Sequence, residues 1–288
     1  AKLVRIEYEE LAPVLSIEEA WEKEQFTYKP PRIVFGDAEA AIAKSINVVS
    51  GEVRCGGQDH FYLESHIALA IPGEDRDITV HSSTQHPTEV QHGVSHVLGV
   101  ALNDVTIEVR RMGGAFGGKE SQATIIAAIA ALLADKCRKP VKLRLRRDDD
   151  MIATGKRHDF LFRYRIGFDD DGRIDSAVID MAARSGNVAD LSGGVVARAL
   201  CHGDNAYFIP NALFRGWPCK TNTVSNTAFR GFGGPQGMIA IETVIEHIAR
   251  DLGKSVDEVR AVNWYGTEDR NVTPYGQPVT DNIMPELV

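Results

Sequence analysis

The chain has 288 residues, 43% of them hydrophobic and 25% charged, and a formal net charge of -8 at pH 7. This is the composition of an ordinary soluble protein, long enough for one large folded unit or two smaller ones. The acidic balance argues against a nucleic-acid binder working through phosphates, and no apolar run reaches the roughly 18 to 20 residues of a membrane span.

In chain order, Leu3 to Tyr8 alternates like a strand, and Ser16-Ile-Glu-Glu19 has capping-box spacing for a short helix to about Glu24. Gln25 to Pro31 reads as a linker, Gly36-Asp37 starts an Ala-rich helix ending near Ile46, and Gly51 to Cys55 reads as a strand. Strands follow at Tyr62 to Ile71 and Asp77 to Ser83. Pro87 then opens a helix to about Leu98, with Gly99 as its stop. Between them lies Ser83-Thr-Gln-His86, the first of three junctions where a loop enters a helix.

The second junction is Arg111-Met-Gly-Gly-Ala-Phe-Gly-Gly-Lys-Glu120, between a strand at Val105 to Arg111 and an apolar helix from Ser121 to Lys136. Its glycines allow the backbone to approach a ligand closely, and the helix N-terminus behind it favours an anionic or oxygen-rich group. Pro140 ends that helix, and Val141 to Arg147 reads as a strand whose basic residues form its wet face. Asp159 to Phe168 and Arg173 to Ala183 form a hairpin around the turn Asp169-Asp-Asp-Gly172. Ala182 to Asn226 is broken by Gly186, Gly193-Gly194, Gly203 and Pro210, with a short helix at Val195 to Cys201.

The third junction, Asn226-Thr-Ala-Phe-Arg-Gly-Phe-Gly-Gly-Pro-Gln-Gly237, opens an amphipathic helix. Its core face is Ile239, Ile241, Val244, Ile245 and Ile248, and Gly253 stops it. Ser255-Val-Asp-Glu258 caps a last helix to about Tyr265. Strands and helices mix without a regular β-then-α beat, which predicts an α+β fold with mixed sheets and helices packed on them.

Three loops at helix N-termini could together surround one extended ligand with anionic groups. A competing reading is a P-loop, since Gly113-Gly-Ala-Phe-Gly-Gly-Lys119 has the G-x-x-x-x-G-K spacing and Ala177-Val-Ile-Asp180 could supply the acid. Glu120 stands where a P-loop needs Ser or Thr for Mg²⁺, and a carboxylate there repels phosphates. A plain scaffold that binds no cofactor also fits glycine-rich connections. Glu120 can equally be a first-turn acid, Arg198 an ion-pair partner and Gln85 a cap. Phe116 and Phe232, inside loops with little else to bury, suit stacking on a planar substrate. His92 and His96 share a helix face without metal-site spacing. The four cysteines form no C-x-x-C pair and read as buried free thiols of a reducing cytoplasm, and no secretory signal opens the chain.

Ser83-Thr-Gln85, the whole second junction, Arg198-Ala-Leu200 and the whole third junction, in this order, resemble the molybdenum-binding subunit of the xanthine dehydrogenase family of molybdenum hydroxylases. Gly56-Gly-Gln-Asp-His-Phe-Tyr-Leu-Glu64 extends the resemblance, which runs from about Gly51 to Tyr265. It implies a cytoplasmic, multi-subunit enzyme that hydroxylates hypoxanthine or xanthine towards urate. The relatives that oxidise aldehydes or other N-heterocycles are the alternative. The implied cofactor is molybdenum–molybdopterin, with Gln85 and Phe116 around the molybdenum and no direct protein ligand, and with Gly117 and Arg230 also at the cofactor. Glu120 and Arg198 would be catalytic, gripping opposite ends of the purine, and Phe232 would stack its ring.

The resemblance further implies that residues 1–20 are the tail of a preceding hammerhead-like domain and linker. Residues 21–288 would be the first molybdopterin-binding domain, with the second half of the cofactor region, including the proton-abstracting glutamate, on chain not matched here. Iron–sulfur clusters and FAD would sit on a small partner subunit or on other domains. Alone, this stretch would carry neither cofactor nor activity. Ala115, where many relatives carry glycine, is a small departure.

Overall fold

Two apolar patterns build two sheets. The computed structural model describes residues 3–288; Ala1 and Lys2, at the head of the expected tail, lie outside the described residues. In chain order the elements are α1 (Ile17–Glu22), β1 (Arg32–Phe35), α2 (Ala38–Ile42), β2 (Asn47–Cys55), β3 (Ile67–Pro72), β4 (Ile78–Ser82), α3 (Pro87–Leu98), β5 (Val105–Glu108) and α4 (Ala123–Cys137). There follow β6 (Val141–Arg144), α5 (Arg147–Ala153), β7 (Phe160–Phe168), β8 (Ile174–Gly186), α6 (Ser192–Leu200), β9 (Ala212–Lys220), α7 (Gly234–Leu252) and α8 (Val256–Asn263).

The larger sheet runs β1-β9-β8-β7-β2, antiparallel except for β8–β9. Alternation on β7 and β8 sends Phe160, Phe162, Ile166, Ile179 and Met181 to one face, against α6, α7 and α8. Leu161 and Ala182 point to the other face, where they pack with Val14, Ile17 and Ala20 of the α1 region. The smaller sheet, β5-β4-β3-β6 with β4–β5 parallel, buries Ala68, Ala70, Ile78 and Val80 under α3 and α4. A large apolar side chain buried in this way contributes about 1.5–3 kcal/mol. Mixed sheets with helices packed on them are what the α+β expectation described.

Local signals place several elements as read. Gly99 and Gly253 end α3 and α7 in left-handed conformation, at φ 62° and 65°. Ser255 and Glu258 form the reciprocal box that starts α8. Asp169 Oδ1 accepts from the N–H of Asp171 and Arg173, fixing the β7–β8 turn.

Other expectations are corrected. Leu3 to Tyr8 is not a strand: it finds no partner strand among the described residues, and Leu3, Val4, Ile6 and Tyr8 are exposed. Tyr62 to His66 is loop, because α5 satisfies its backbone instead of a strand. Arg147 Nη2 donates to the Tyr62 and Leu63 carbonyls at 2.6 Å each, and Asp150 Oδ2 accepts from the His66 N–H at 2.6 Å. Ile239 is 41% exposed and drops out of the expected core face of α7, where Ala240 is buried beside Ile241, Val244, Ile245 and Ile248. Of the four free thiols only Cys219 is buried, and Cys137 is exposed.

Candidate functional site

The three junctions meet. Gln85 lies between β4 and α3, Phe116 to Glu120 precede α4, and Ala228 to Phe232 precede α7. Gln85, Phe116, Gly117, Glu120 and Ala228 to Phe232 line one cavity of about 400 Å³. Six of the seven residues singled out from the sequence are therefore neighbours around one space.

Glycine permits this approach where the two glycine-rich loops touch. Gly117 has φ +104°, and a Cβ there would stand 2.8 Å from the Ala228 carbonyl oxygen and 3.0 Å from Phe229 Cα. Phe116 itself is left-handed at φ 55°. Its carbonyl accepts from the Arg230 N–H at 2.8 Å, and the Arg230 guanidinium lies 5.3 Å from the Phe116 ring centroid. Phe232, at φ 48°, repeats this left-handed aromatic in the third junction.

Gln85 is oriented by the second junction. Its N–H donates to the Lys119 carbonyl at 2.9 Å, while its Oε1 accepts from the N–H of Gly117 at 3.0 Å and of Lys119 at 3.3 Å. The amide oxygen is thereby occupied, and Nε2, which has no partner among the described residues, is a donor on the cavity wall. Nor do the N–H groups of Phe229 and Gly231 have a partner among the described residues. With the Arg230 charge, these donors fit an extended, oxygen- and nitrogen-rich group. Among the described residues no cluster of three or more His, Cys, Asp or Glu could hold a metal ion.

Glu120 is half-buried, and that burial raises its carboxyl above the ordinary carboxylate range. The nearby Glu89 and Asp190 charges push the same way, and His86 opposes them.

Arg198 is not part of the cavity lining. It is exposed on α6, and among the described residues its guanidinium pairs with no acid. A turn earlier on the same helix face is Gly194, where a Cβ would stand 2.6 Å from Phe232 Cε1. α6 therefore flanks the Phe232 side of the cavity.

The P-loop reading is overturned. Lys119 is fully buried and turned away from the cavity: its Nζ donates to the Glu64 carbonyl at 2.8 Å, to Ser83 Oγ at 2.9 Å and to Glu64 Oε2 at 3.1 Å. It also sits 4.7 Å from the Tyr62 ring centroid. Burial lowers its pKa, with Glu64 opposing. The lysine keeps no donor for a phosphate in the cavity. The supposed acid, Asp180, is held by Arg215 and Trp217 on the larger sheet.

Sequence reasoning missed two groups that shape the site. Phe229 lies between the His60 ring, 4.5 Å away centroid to centroid, and the Arg157 guanidinium, 3.9 Å from its centroid. Asp190, at the head of α6, bonds to Ser121 and Gln122, just past the second junction, and to Thr227 in the third. Phe229 and His60 lie in separate motif stretches, and nothing local in either shows that their rings meet. Asp190 lay in the segment whose glycines hid its order.

This architecture has known counterparts. The chain is 46% identical over 270 residues to the xanthine dehydrogenase/oxidase of Gallus gallus, covering 93% of this chain and 20% of that protein. It is 47% identical over 279 residues to the xanthine dehydrogenase of Drosophila pseudoobscura pseudoobscura, covering 96% and 21% respectively. It thus spans about a fifth of the length of these curated relatives. The solved aldehyde oxidoreductase of Desulfovibrio gigas superposes with a TM-score of 0.88 at 26% identity, over 98% of this chain and 32% of that one. The family model described as "Molybdopterin cofactor-binding domain" matches residues 21–264, most of the chain, and the chain belongs to that family.

Proposed function

We propose that the chain is part of a molybdenum-dependent oxidoreductase that hydroxylates hypoxanthine and xanthine towards urate. The observation that carries this reading is the convergence of three helix-entry loops on one cavity. It sets a donor amide (Gln85), a cation (Arg230), an aromatic ring (Phe232) and a half-buried acid (Glu120) around a single space. The molybdenum cofactor, when bound, supplies the metal centre that oxidises the substrate carbon. Gln85 Nε2 and the loop N–H groups hold its oxygen-rich face, Arg230 offsets its negative charge, and Phe116 and Gly117 close around it.

Phe232 stacks the planar ring. Glu120 accepts from a ring N–H or, protonated, donates to a ring nitrogen, and Arg198 approaches from α6 to stabilise charge developing on the ring. A donor-and-acceptor match of this kind selects a purine over a simple carbonyl compound. Identity near 46% to xanthine dehydrogenases, against 26% to the aldehyde oxidoreductase, favours the purine over an aldehyde.

Residues 1–20 belong, in this reading, to the tail of a preceding domain, and residues 21–288 to the first cofactor-binding domain; the boundary falls within α1. The remaining half of the site, the iron–sulfur clusters and FAD reside on other domains or a partner subunit of a cytoplasmic oligomer. Among the described residues no helix is long and apolar enough to cross a membrane.

The test is Glu120→Ala and Arg198→Met in the intact enzyme. Losing a charged hydrogen-bond partner costs about 1.5–3 kcal/mol, so xanthine kcat/KM should fall roughly 10- to 150-fold while molybdenum content holds. Undiminished xanthine turnover in both variants would sink the purine assignment.

A further inference from the structure

Three elements carry the proposed site, and one side chain outside the cavity lining ties them together. Asp190 is a non-glycine residue at φ 43°, a conformation that costs free energy and persists only where surrounding contacts impose it. Its carboxylate accepts four donors. Ser121 Oγ lies 2.9 and 2.8 Å from Oδ1 and Oδ2, Gln122 Nε2 2.7 Å from Oδ2, Thr227 Oγ1 2.8 Å from Oδ1, and the Leu191 N–H 2.7 Å from Oδ1. Ser121 directly follows Glu120. Thr227 opens the loop that carries Arg230 and Phe232. Leu191 leads into α6, which carries Arg198. Gln122 extends the tie through its Oε1, which accepts from the Gly155 N–H at 3.1 Å.

We propose that Asp190 is a positioning residue for substrate recognition: it fixes the spacing between Glu120, the Phe232 loop and the Arg198 helix, and so sets selectivity for a purine. The inference rests on the purine reading given above. A carboxylate suits the task because its two oxygens take several donors in fixed directions, whereas an amide offers one acceptor and turns two donors on Ser121, Gln122 and Thr227.

Asp190 also acts on Glu120 through charge. The charged groups around the Glu120 carboxyl are His86 and Glu89 at the start of α3, Asp190 at the head of α6, and Arg230 across the cavity. Asp190 and Glu89 disfavour a second negative charge there, in the same direction as burial. Removing the Asp190 charge therefore lets Glu120 ionise at lower pH.

The experiment uses the intact molybdenum-loaded enzyme and Asp190→Asn, with Thr227→Val as a milder cut at the other end of the tie. Molybdenum per chain, kcat and KM for xanthine and for benzaldehyde, and the pH profile of xanthine kcat/KM are measured. The expected result is unchanged molybdenum, benzaldehyde kcat/KM within about twofold, and xanthine kcat/KM down about tenfold, mostly in KM. The Glu120-dependent limb of the profile should move to lower pH in Asp190→Asn and stay in place in Thr227→Val. Equal losses on both substrates, loss of molybdenum from both variants, or an unmoved limb would overturn the assignment. A Glu120→Gln control separates the two readings. If it leaves xanthine kcat/KM intact, the purine reading fails and this inference falls with it. If it lowers xanthine kcat/KM while Asp190→Asn does not, only the Asp190 assignment fails.

Discussion

Gly117→Ala tests the contact on which the site is built. At φ +104°, an L side chain costs about 1–2 kcal/mol. The new Cβ would also meet the Ala228 carbonyl oxygen at 2.8 Å, its carbon at 2.9 Å and Phe229 Cα at 3.0 Å. All three are backbone atoms, so no rotamer change relieves the overlap, and forced packing of one methyl adds about 1–3 kcal/mol. Reduced freedom of the unfolded chain returns about 0.4–1 kcal/mol. The net loss is about 1–4.5 kcal/mol, or roughly 2–18 °C in Tm at about 2–4 °C per kcal/mol. Scanning fluorimetry on the chain, with Gly56→Ala as the comparison, measures it. Gly56 has no positive φ and nothing within 4 Å of an added Cβ, so its variant should stay within about 0.5 kcal/mol of the parent. If Gly117→Ala melts with Gly56→Ala, the two loops do not abut as described.

Lys119→Met removes the buried cation but leaves Glu64 its Ser83 and Gly113 donors, so a loss of about 1–3 kcal/mol is expected in chemical denaturation. Neither parent nor variant should bind ATP in calorimetry, since the lysine faces away from the cavity. Burial pulls His158 down to about 3, so the native imidazole stays neutral while the unfolded one protonates below its ordinary value of 6.5. Stability is then lost as pH falls below 6.5, by about 2 kcal/mol at pH 5. His158→Gln, which retains a partner for Ser192, should flatten that part of the stability profile. Asp204 is the opposite case. Burial raises it to about 6 despite the Tyr265 hydroxyl, and its Oδ1 has no partner among the described residues. Ionisation costs stability as pH rises from 3.8 through 6, so Asp204→Asn should raise Tm at pH 8 and leave it unchanged near pH 4.

What could be read from the sequence was whatever is decided locally. Caps at Gly99, Gly253 and Ser255 fix helix ends through backbone conformation and short-range hydrogen bonds, and these gave α3, α7 and α8 nearly residue by residue. β9 was hidden because it lies in the stretch from Ala182 to Asn226 that Gly186, Gly193-Gly194, Gly203 and Pro210 break, and it holds a glycine and a proline of its own. In place, Gly216 lets α6 sit on the strand, since a Cβ there would stand 2.4 Å from Val196 Cγ1, and the Pro218 carbonyl accepts from the Thr27 N–H at 3.0 Å. α5 was hidden because Asp148-Asp149-Asp150 reads as polar surface, whereas Asp150 is 1% exposed beneath Tyr62 and His66. The cavity residues were readable because glycine-rich loops are long and specific motifs. Asp190 was not, because its meaning lies in partners 37 to 69 positions away in the chain.

The adjacent pair Lys119 and Glu120 shows why spacing alone would misassign the second junction. A G-x-x-x-x-G-K stretch selects a backbone that turns tightly into a helix; it does not select the direction of the lysine. Here the turn is closed by Gln85, which accepts from the N–H of Gly117 and Lys119 and donates to the Lys119 carbonyl. With the Lys119 peptide held on the cavity side, its side chain points back to Glu64 and Ser83, and Glu120 lines the cavity. A phosphate site needs the lysine forward and no acid beside it. The same loop with the lysine reversed presents a half-buried carboxyl instead, and a neutral ligand edge that offers N–H donors is the partner such a carboxyl can accept without charge repulsion.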